Sequence, residues 1–227
     1  MPRDPICYIM GAGECHEPPP APVKGDFLIA ADGGYSHLKK HHLTPNLVVG
    51  DFDSMPEITG INEAVYIIEA TGIIEGTGTT VDTLVLPREK DDTDMRAAIN
   101  AGWERGYRVF YIYGGTGGRL DHTLANIQCI AELARRSGRG VLVDRDALIT
   151  AVCDSEIHFP ESARGTVSVF AHTETCTGVC ETGLKYALKN AMLSNTNPLG
   201  ISNEFIGKAA AVSVKSGILL VFYPKTI

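Results

Sequence analysis

No stretch of this chain approaches the roughly 20 consecutive apolar residues that a membrane-crossing helix needs. The opening MPRDPICYIMGAGE reaches a glycine before a signal-type apolar run develops, so the expectation is a cytoplasmic protein with no membrane partner. Basic residues are in the minority: 20 Lys and Arg stand against 27 Asp and Glu, a formal charge of -7. That is the wrong sign for general attraction to phosphate backbones, which excludes nucleic acid as a bulk partner. Internal repeats, low-complexity tracts and long flexible linkers are missing, as are the G-x-x-x-x-G-K-[ST] run of a P-loop and a complete G-x-G-x-x-G. The six cysteines (Cys7, Cys15, Cys129, Cys153, Cys176, Cys180) are scattered. A chain of 227 residues buries a core without disulfide help, so they read as reduced, mostly core, thiols. Cys176 and Cys180 lack a second Cys or His pair at zinc-finger spacing.

What remains is the composition of an ordinary globular protein, 44% hydrophobic and 21% charged, with room for one large domain or two small ones. The first part alternates short apolar runs with amphipathic segments: Cys7 to Met10, Phe27 to Ala31, Asn46 to Val49, Val65 to Ile68 and Tyr107 to Tyr113. Runs apolar on both faces predict a mostly parallel, Rossmann-like sheet covered by helices on either side, with ligand sites beyond the strand carboxyl ends. Met95, Ala98, Ile99 and Gly102 recur at helical spacing, with Thr93 or Asp92 as N-cap and Gly106 as the stop. Leu124, Ile127, Ile130 and Ala134 outline another helix before Gly138. Beyond Asp144 the texture becomes all-β: ALITAV, TVSVFAH, AAVSV and ILLVFY alternate or run apolar over strand lengths. We place the boundary near the SGRG and DRD interruptions, giving domains 1–140 and 141–227.

Chemistry concentrates after the strands. VVGDFDS sets Asp51 and Asp53 two apart at a strand end, a spacing that lets both carboxylates meet one hard cation such as Mg²⁺, and that also suits a solvated Asp turn. KDDTD adds Asp91, Asp92 and Asp94 at the mouth of the next helix, more acid than capping alone requires. Asp32, Gly33 and Gly34 follow a strand, where glycines let backbone N–H groups approach a phosphate or ribose, and Gly11 to Gly13 can do the same. YGGTGGRLDHTLAN packs four glycines, the last of them Gly118, with Arg119, Asp121 and His122 into one strand-to-helix junction. Arg119 offers a forked donor for phosphate oxygens, Asp121 caps the helix or holds a cation, and His122 donates to a phosphate or orients a neighbour.

Taken in order, ADGGYSHL, VVGDFDS, EKDDTDM, GGTGGRLDHTLANI and TGLKYAL with GISNEF resemble the thiamine pyrophosphokinase family, whose members move diphosphate from ATP to thiamine. The likeness covers nearly the whole chain and includes one motif in the β half. It implies an N-terminal α/β domain that binds ATP, a C-terminal β-sandwich, and a homodimer with thiamine between the domains near the subunit contact. On the matching positions it implies Asp51, Asp53, Asp91 and Asp94 as catalytic carboxylates, with Asp51, Asp53 and Asp91 as Mg²⁺ ligands. Asp32, Gly33, Gly34, Gly118, Arg119, Asp121, His122 and Asn126 would line the nucleotide side. Tyr186, Ser202 and Asn203 would contact thiamine, an aromatic face and two small hydrogen-bonding groups suiting a flat cationic heteroaromatic. Residues 72–87 are longer than the family pattern and predict a hairpin or an irregular excursion. Two other readings compete: a haloacid-dehalogenase-type phosphatase, whose D-x-D-G-T run is replaced here by Ser54-Met55, and a thiamine or nucleotide sensor without turnover.

Overall fold

The computed structural model describes residues 3–51, 58–59, 68–74, 80–87 and 92–226. The chain divides into two compact units, Met1–Asn126 and Ile127–Ile227. The first carries β1 (Ile6–Met10), β2 (Phe27–Ala31), α1 (Gly34–Lys40), β3 (Leu47–Gly50), β4 (Ile58–Thr59), β5 (Ile68–Ile74), β6 (Thr80–Val85), α2 (Asp94–Glu104) and β7 (Val109–Tyr113). Helix α3 (Leu120–Arg135) begins in it.

Its strands lie in the order β7-β1-β2-β3-β6-β5-β4, parallel from β7 to β6 and antiparallel across β6, β5 and β4. Nearly every residue of β1, β2 and β3 is buried, the burial expected of parallel strands covered on both faces. The chain steps outward from β2 to β3 through α1 and returns from β6 to β7 through α2. Right-handed crossovers in opposite directions put those helices on opposite faces. Thr93 caps α2, its Oγ1 accepting the Arg96 N–H at 3.2 Å, and Gly106 follows the helix at φ 94, as the residue pattern predicts. Residues 68–74 and 80–85 pair antiparallel, so the long segment includes a paired excursion at the sheet edge. Of the run Val65 to Ile68, only Ile68 lies within the described residues.

The second unit is all-β after α3. Strands β8 (Arg139–Val143), β9 (Ala147–Cys153), β11 (Thr166–Ala171), β14 (Gly200–Glu204) and β16 (Ile218–Pro224) form an antiparallel sheet ordered β14-β11-β16-β9-β8. Strands β10 (Glu156–Phe159), β12 (Thr175–Thr182), β13 (Leu188–Ser194) and β15 (Ala210–Ser213) form a second one, ordered β10-β15-β12-β13. The two sheets sandwich one core, in which Val167, Val169, Val179, Val212, Leu219 and Val221 are fully enclosed. Phe159 packs edge-on against Phe205 and Tyr223, with ring centroids 5.0 and 5.2 Å away. Strands β15 and β16, joined by Lys215-Ser216-Gly217, lie in different sheets rather than pairing as a hairpin. Among the described residues no helix is long and apolar enough to cross a membrane.

Candidate functional site

In the first unit the strand order reverses beside β1: the chain moves outward through β2, β3 and β6, then returns to β7 on β1's other flank. Open α/β sheets bind ligands at such a switch point, outside the strand carboxyl ends. A cavity of about 510 Å³ lies there. Its wall is made by Gly11, Ala12 and Gly13 after β1, Asp32 after β2, residues 114–119 (Thr116 excepted) after β7, Asp92 to Met95 at the start of α2, and His122, Ala125 and Asn126 on α3.

The two glycine loops hold each other. The N–H groups of Gly11, Gly13 and Glu14 donate to the carbonyls of Tyr113, Gly114 and Thr116 at 2.8, 2.9 and 2.9 Å, carrying the β1–β7 ladder past the strand ends. A Cβ on Gly13 would lie 2.5 Å from the Thr116 carbonyl oxygen and 2.7 Å from that of Gly114, so only glycine permits this approach. The Gly11 and Gly13 N–H groups are therefore spent on bracing rather than presented to a ligand, while that of Ala12, between them in the cavity wall, meets no backbone acceptor among the described residues. The second loop differs: among the described residues the N–H groups of Gly117 and Gly118 meet no backbone acceptor, and both glycines have positive φ, 80 and 62. Successive N–H groups in such turns make a concavity suited to an anion.

Arg119 and Asp121 form an exposed pair. The guanidinium donates to the carboxylate through Nε at 3.1 Å and Nη2 at 2.5 Å, and the His122 N–H donates to Asp121 Oδ1 at 3.0 Å. These bonds, the Arg119 one foremost, hold the Asp121 carboxyl down to about 2. Arg119 also lines the cavity, and the Asp121 contact uses only the Nε and one Nη2 hydrogen of its five. Asn126 is buried and donates through Nδ2 to the Gly115 carbonyl at 2.8 Å, so its amide shapes the loop as well as lining the cavity.

Thr93 takes the capping task of α2, while Asp92 accepts the Thr93 N–H at 3.0 Å and faces Arg96 at 3.6 Å. Asp94 and Asp92 both line the cavity. Of the expected nucleotide-side residues, the structure gathers Asp32, Gly118, Arg119, His122 and Asn126 around the cavity, with Gly33, Gly34 and Asp121 just outside its wall. Asp51 sits half-buried past β3 and is not part of that wall. Asp53 and Asp91 lie outside the described residues. Among the described residues no three His, Cys, Asp or Glu side chains are close enough to hold a metal by themselves.

In the second unit, GLKY and GISN come together although Tyr186 and Asn203 are 17 positions apart. Asn203 is only 4% exposed. Its Oδ1 accepts the Tyr186 and Glu204 N–H groups at 3.0 and 2.9 Å, and its Nδ2 donates to the Tyr186 carbonyl and to Glu181 Oε2, both at 2.7 Å. An amide has two donors and two acceptor lone pairs, so all four are committed within the protein. Asn203 thus holds the Tyr186 backbone and has nothing left for a ligand, a different task from the substrate contact expected of it. Tyr186 is 60% exposed, with the Lys185 ammonium 5.4 Å from its ring centroid. Lys185 Nζ also bonds both Glu204 carboxylate oxygens at 3.0 Å. Ser202, exposed beside this clamp, is held at φ 59, a left-handed conformation costing a serine about 1 kcal/mol. Its N–H donates to Ser168 Oγ at 3.0 Å.

Glu181 was absent from the expected site. It is fully buried, burial pushes its carboxyl above the ordinary range, and its Oε1 has no hydrogen-bond partner among the described residues. A signal existed: Val179 and Glu181 are two apart on one strand, so the strand period points the acid inward with the valine.

The family model described as thiamin pyrophosphokinase, catalytic domain, matches residues 23–142, and the model described as thiamin pyrophosphokinase, vitamin B1 binding domain, matches residues 154–219. The chain is 30% identical over 194 residues to a thiamine pyrophosphokinase of Bacillus subtilis, covering 85% of this chain and 84% of that one. Among solved structures it resembles the B. subtilis enzyme (TM-score 0.75, 25% identity, 99% and 100% of the chains covered) and one from Geobacillus thermodenitrificans (0.75, 26%, 98% and 100%). Yeast thiamin pyrophosphokinase shares the fold at 15% identity, with a TM-score of 0.67 over 100% of this chain and 88% of that one.

Proposed function

We propose how this chain, which belongs to the thiamine pyrophosphokinase family, divides among its residues the ATP-dependent formation of thiamine diphosphate. It is a transferase, a thiamine diphosphokinase, and the phosphatase and sensor readings are not favoured. We assign nucleotide handling to residues 1–140 and thiamine recognition to 141–227. The observation that carries the assignment is the cavity at the switch point of the parallel sheet, where a glycine loop, Arg119, His122 and the carboxylates opening α2 converge.

ATP binds in that cavity with its phosphates against Gly117, Gly118 and Arg119. The guanidinium meets phosphate oxygens with the hydrogens that Asp121 leaves open, and His122 donates to the same anion. Asp32 lies after β2 on the ribose side. The thiamine hydroxyl oxygen attacks the β-phosphorus, the bond to the α-phosphoryl oxygen breaks, and AMP leaves with that oxygen. Asp91 or Asp94 accepts the hydroxyl proton. Positioning and charge neutralisation supply most of the acceleration in such transfers. On the other unit, Tyr186 offers its exposed ring to the heteroaromatic and Ser202 its hydroxyl.

Mg²⁺ prefers oxygen donors and takes one or two carboxylates while keeping waters and substrate phosphates. Asp32, Asp92 and Asp94 in the cavity wall are donors of that kind, so the wall fits the ion. The family resemblance gives its ligands as Asp51, Asp53 and Asp91, and these carboxylates would hold it. Such an ion would neutralise charge developing on phosphate oxygens.

A homodimer is supported by the edge strands of the sandwich. Met192 on β13, Ile201 on β14 and nearby Leu199 and Ile206 are large apolar side chains left exposed. All six cysteines are free thiols, in keeping with a reducing cytoplasm.

Incubating the protein with ATP, Mg²⁺ and thiamine and separating the nucleotides tests the reaction. AMP appearing in step with thiamine diphosphate is the expected result. ADP or inorganic phosphate as the nucleotide-derived product, or no turnover, overturns it.

A further inference from the structure

Glu181 lies in the sandwich core on β12, in one sheet, and reaches Asn203 on β14 in the other. The bond, Asn203 Nδ2 to Glu181 Oε2 at 2.7 Å, links the two sheets through buried polar atoms. Enclosing a carboxyl among apolar side chains is costly, and here nothing but one amide offsets the cost, because Oε1 has no partner among the described residues. A core built for stability alone would place an apolar residue at this inward position. What the carboxyl does accomplish is orientation. Asn203 Nδ2 carries two hydrogens, and a carboxylate oxygen can only accept from this amide, so Glu181 anchors the Nδ2 end from the core in the sense that the Tyr186 and Glu204 backbone groups also require. With Nδ2 fixed, Oδ1 is turned toward the Tyr186 and Glu204 N–H groups and the second Nδ2 hydrogen toward the Tyr186 carbonyl. A reversed amide would set two oxygens against each other at Glu181 and at the Tyr186 carbonyl.

We propose that Glu181 is a positioning residue for thiamine recognition, acting from the sandwich core through the Asn203 amide on the backbone of Tyr186. The proposal rests on the reading of Tyr186 as the thiamine platform. Glu181 touches neither substrate. Its loss leaves one Nδ2 hydrogen of the buried Asn203 without an acceptor, the clamp on the Tyr186 segment loosens, and an exposed ring that must already stand in place to stack becomes mobile.

The test is steady-state kinetics with thiamine and ATP varied separately on Glu181→Met, which keeps the volume and removes the acceptor, and on Glu181→Gln, which keeps an acceptor oxygen. In Glu181→Met the thiamine KM should rise on the order of tenfold, with kcat and the ATP KM within about twofold of the parent. Glu181→Gln should restore most of the lost thiamine affinity, which a merely structural defect would not predict. If Glu181→Met does not fold, Glu181→Asp, one methylene shorter and unable to reach Asn203, gives the same readout. The double variant with Asn203→Leu should be no worse for thiamine KM than Asn203→Leu alone, since both act on one clamp. An unchanged thiamine KM in a folded Glu181→Met or Glu181→Asp protein, equal shifts for both substrates, or additive effects with Asn203→Leu would overturn the proposal. A parent protein that makes no thiamine diphosphate would instead sink the functional reading itself, so the two failures are separate.

Discussion

The cavity of the α/β unit and the tyrosine of the β unit are built by opposite means. Around the cavity the wall is largely backbone: Gly11 and Gly13 lie so close to the loop after β7 that a single added carbon has no space, and main-chain hydrogen bonds clamp the two loops. Around Tyr186 the work is done by side chains, with one buried asparagine committing four hydrogen bonds and one buried glutamate orienting it. A backbone-built site is harmed by adding atoms, whereas a side-chain-built site is harmed by removing them. The first kind suits a charged phosphate chain, which any ring of N–H groups can accept. The second suits a flat ring whose pose depends on a single aromatic face.

The largest effect expected from this contrast is that of Gly13→Ala. The new Cβ would sit 2.5 Å from the Thr116 carbonyl oxygen, so the loops must part. AMP formation should fall on the order of 100-fold, a displacement of about 1 Å near the reacting groups being enough for that. Gly118→Ala sharpens the point, because no atom lies within 4 Å of its Cβ and the remaining cost is the strain of φ 62, about 1–2 kcal/mol. Nucleotide chromatography on both variants checks the ranking, and equal losses would break the comparison.

Next comes Asn203→Leu. Removing four buried hydrogen bonds and leaving their partners unpaired should cost about 3 kcal/mol or more of stability. Urea unfolding measures that loss, and the thiamine KM should rise while the ATP KM holds. The order reverses for Arg119→Ala: the pair with Asp121 is exposed, so stability should fall by less than about 1 kcal/mol, but the ATP KM should rise roughly tenfold with the charged phosphate contact gone. An Arg119→Ala protein destabilised by about 2 kcal/mol or more would contradict the exposed geometry.

The smallest effects are electrostatic and have opposite signs in the two units. Asp121 is held below its ordinary 3.8, at about 2, so its contribution is present above 3.8 and fades as pH falls toward 2. Glu181 is pushed above its ordinary 4.5, so the folded chain binds that proton more tightly than the unfolded one. Its contribution is complete below 4.5 and is lost as pH rises through the folded value. Urea titrations across pH should therefore show Asp121→Asn changing only the acid limb. Glu181→Gln should flatten the slope above pH 4.5.

Much of the α/β unit was legible in its residues because its signals are local. Runs such as Phe27 to Ala31 are apolar on both faces only where helices cover both, and Thr93 and Gly106 bracket α2 by capping chemistry that needs no distant partner. The β unit was less legible. Strand β13 reads LKNAMLS with Leu193 alone fully buried, and the β12–β13 pairing shifts register around Val179, so β13 lacks the clean alternation of a half-buried strand and β12 keeps it only from Val179 onward. The family resemblance likewise pointed to Asn203, but only the fold reveals that its hydrogen bonds are all used internally.

By itself the amino-acid order determined the two textures, the glycine-rich turns after the parallel strands, the acidic and basic side chains available to a phosphate, and the family. These are properties of short segments, set by periodicity and by what glycine, aspartate and arginine can each do. Tertiary structure alone decided which glycine N–H groups brace the two loops and which are left over, that Arg119 rests on Asp121, and that a core glutamate meets the asparagine behind Tyr186. Those outcomes depend on which donor meets which acceptor across residues far apart in the chain, and geometry of that kind is created only when the sheets close over their core.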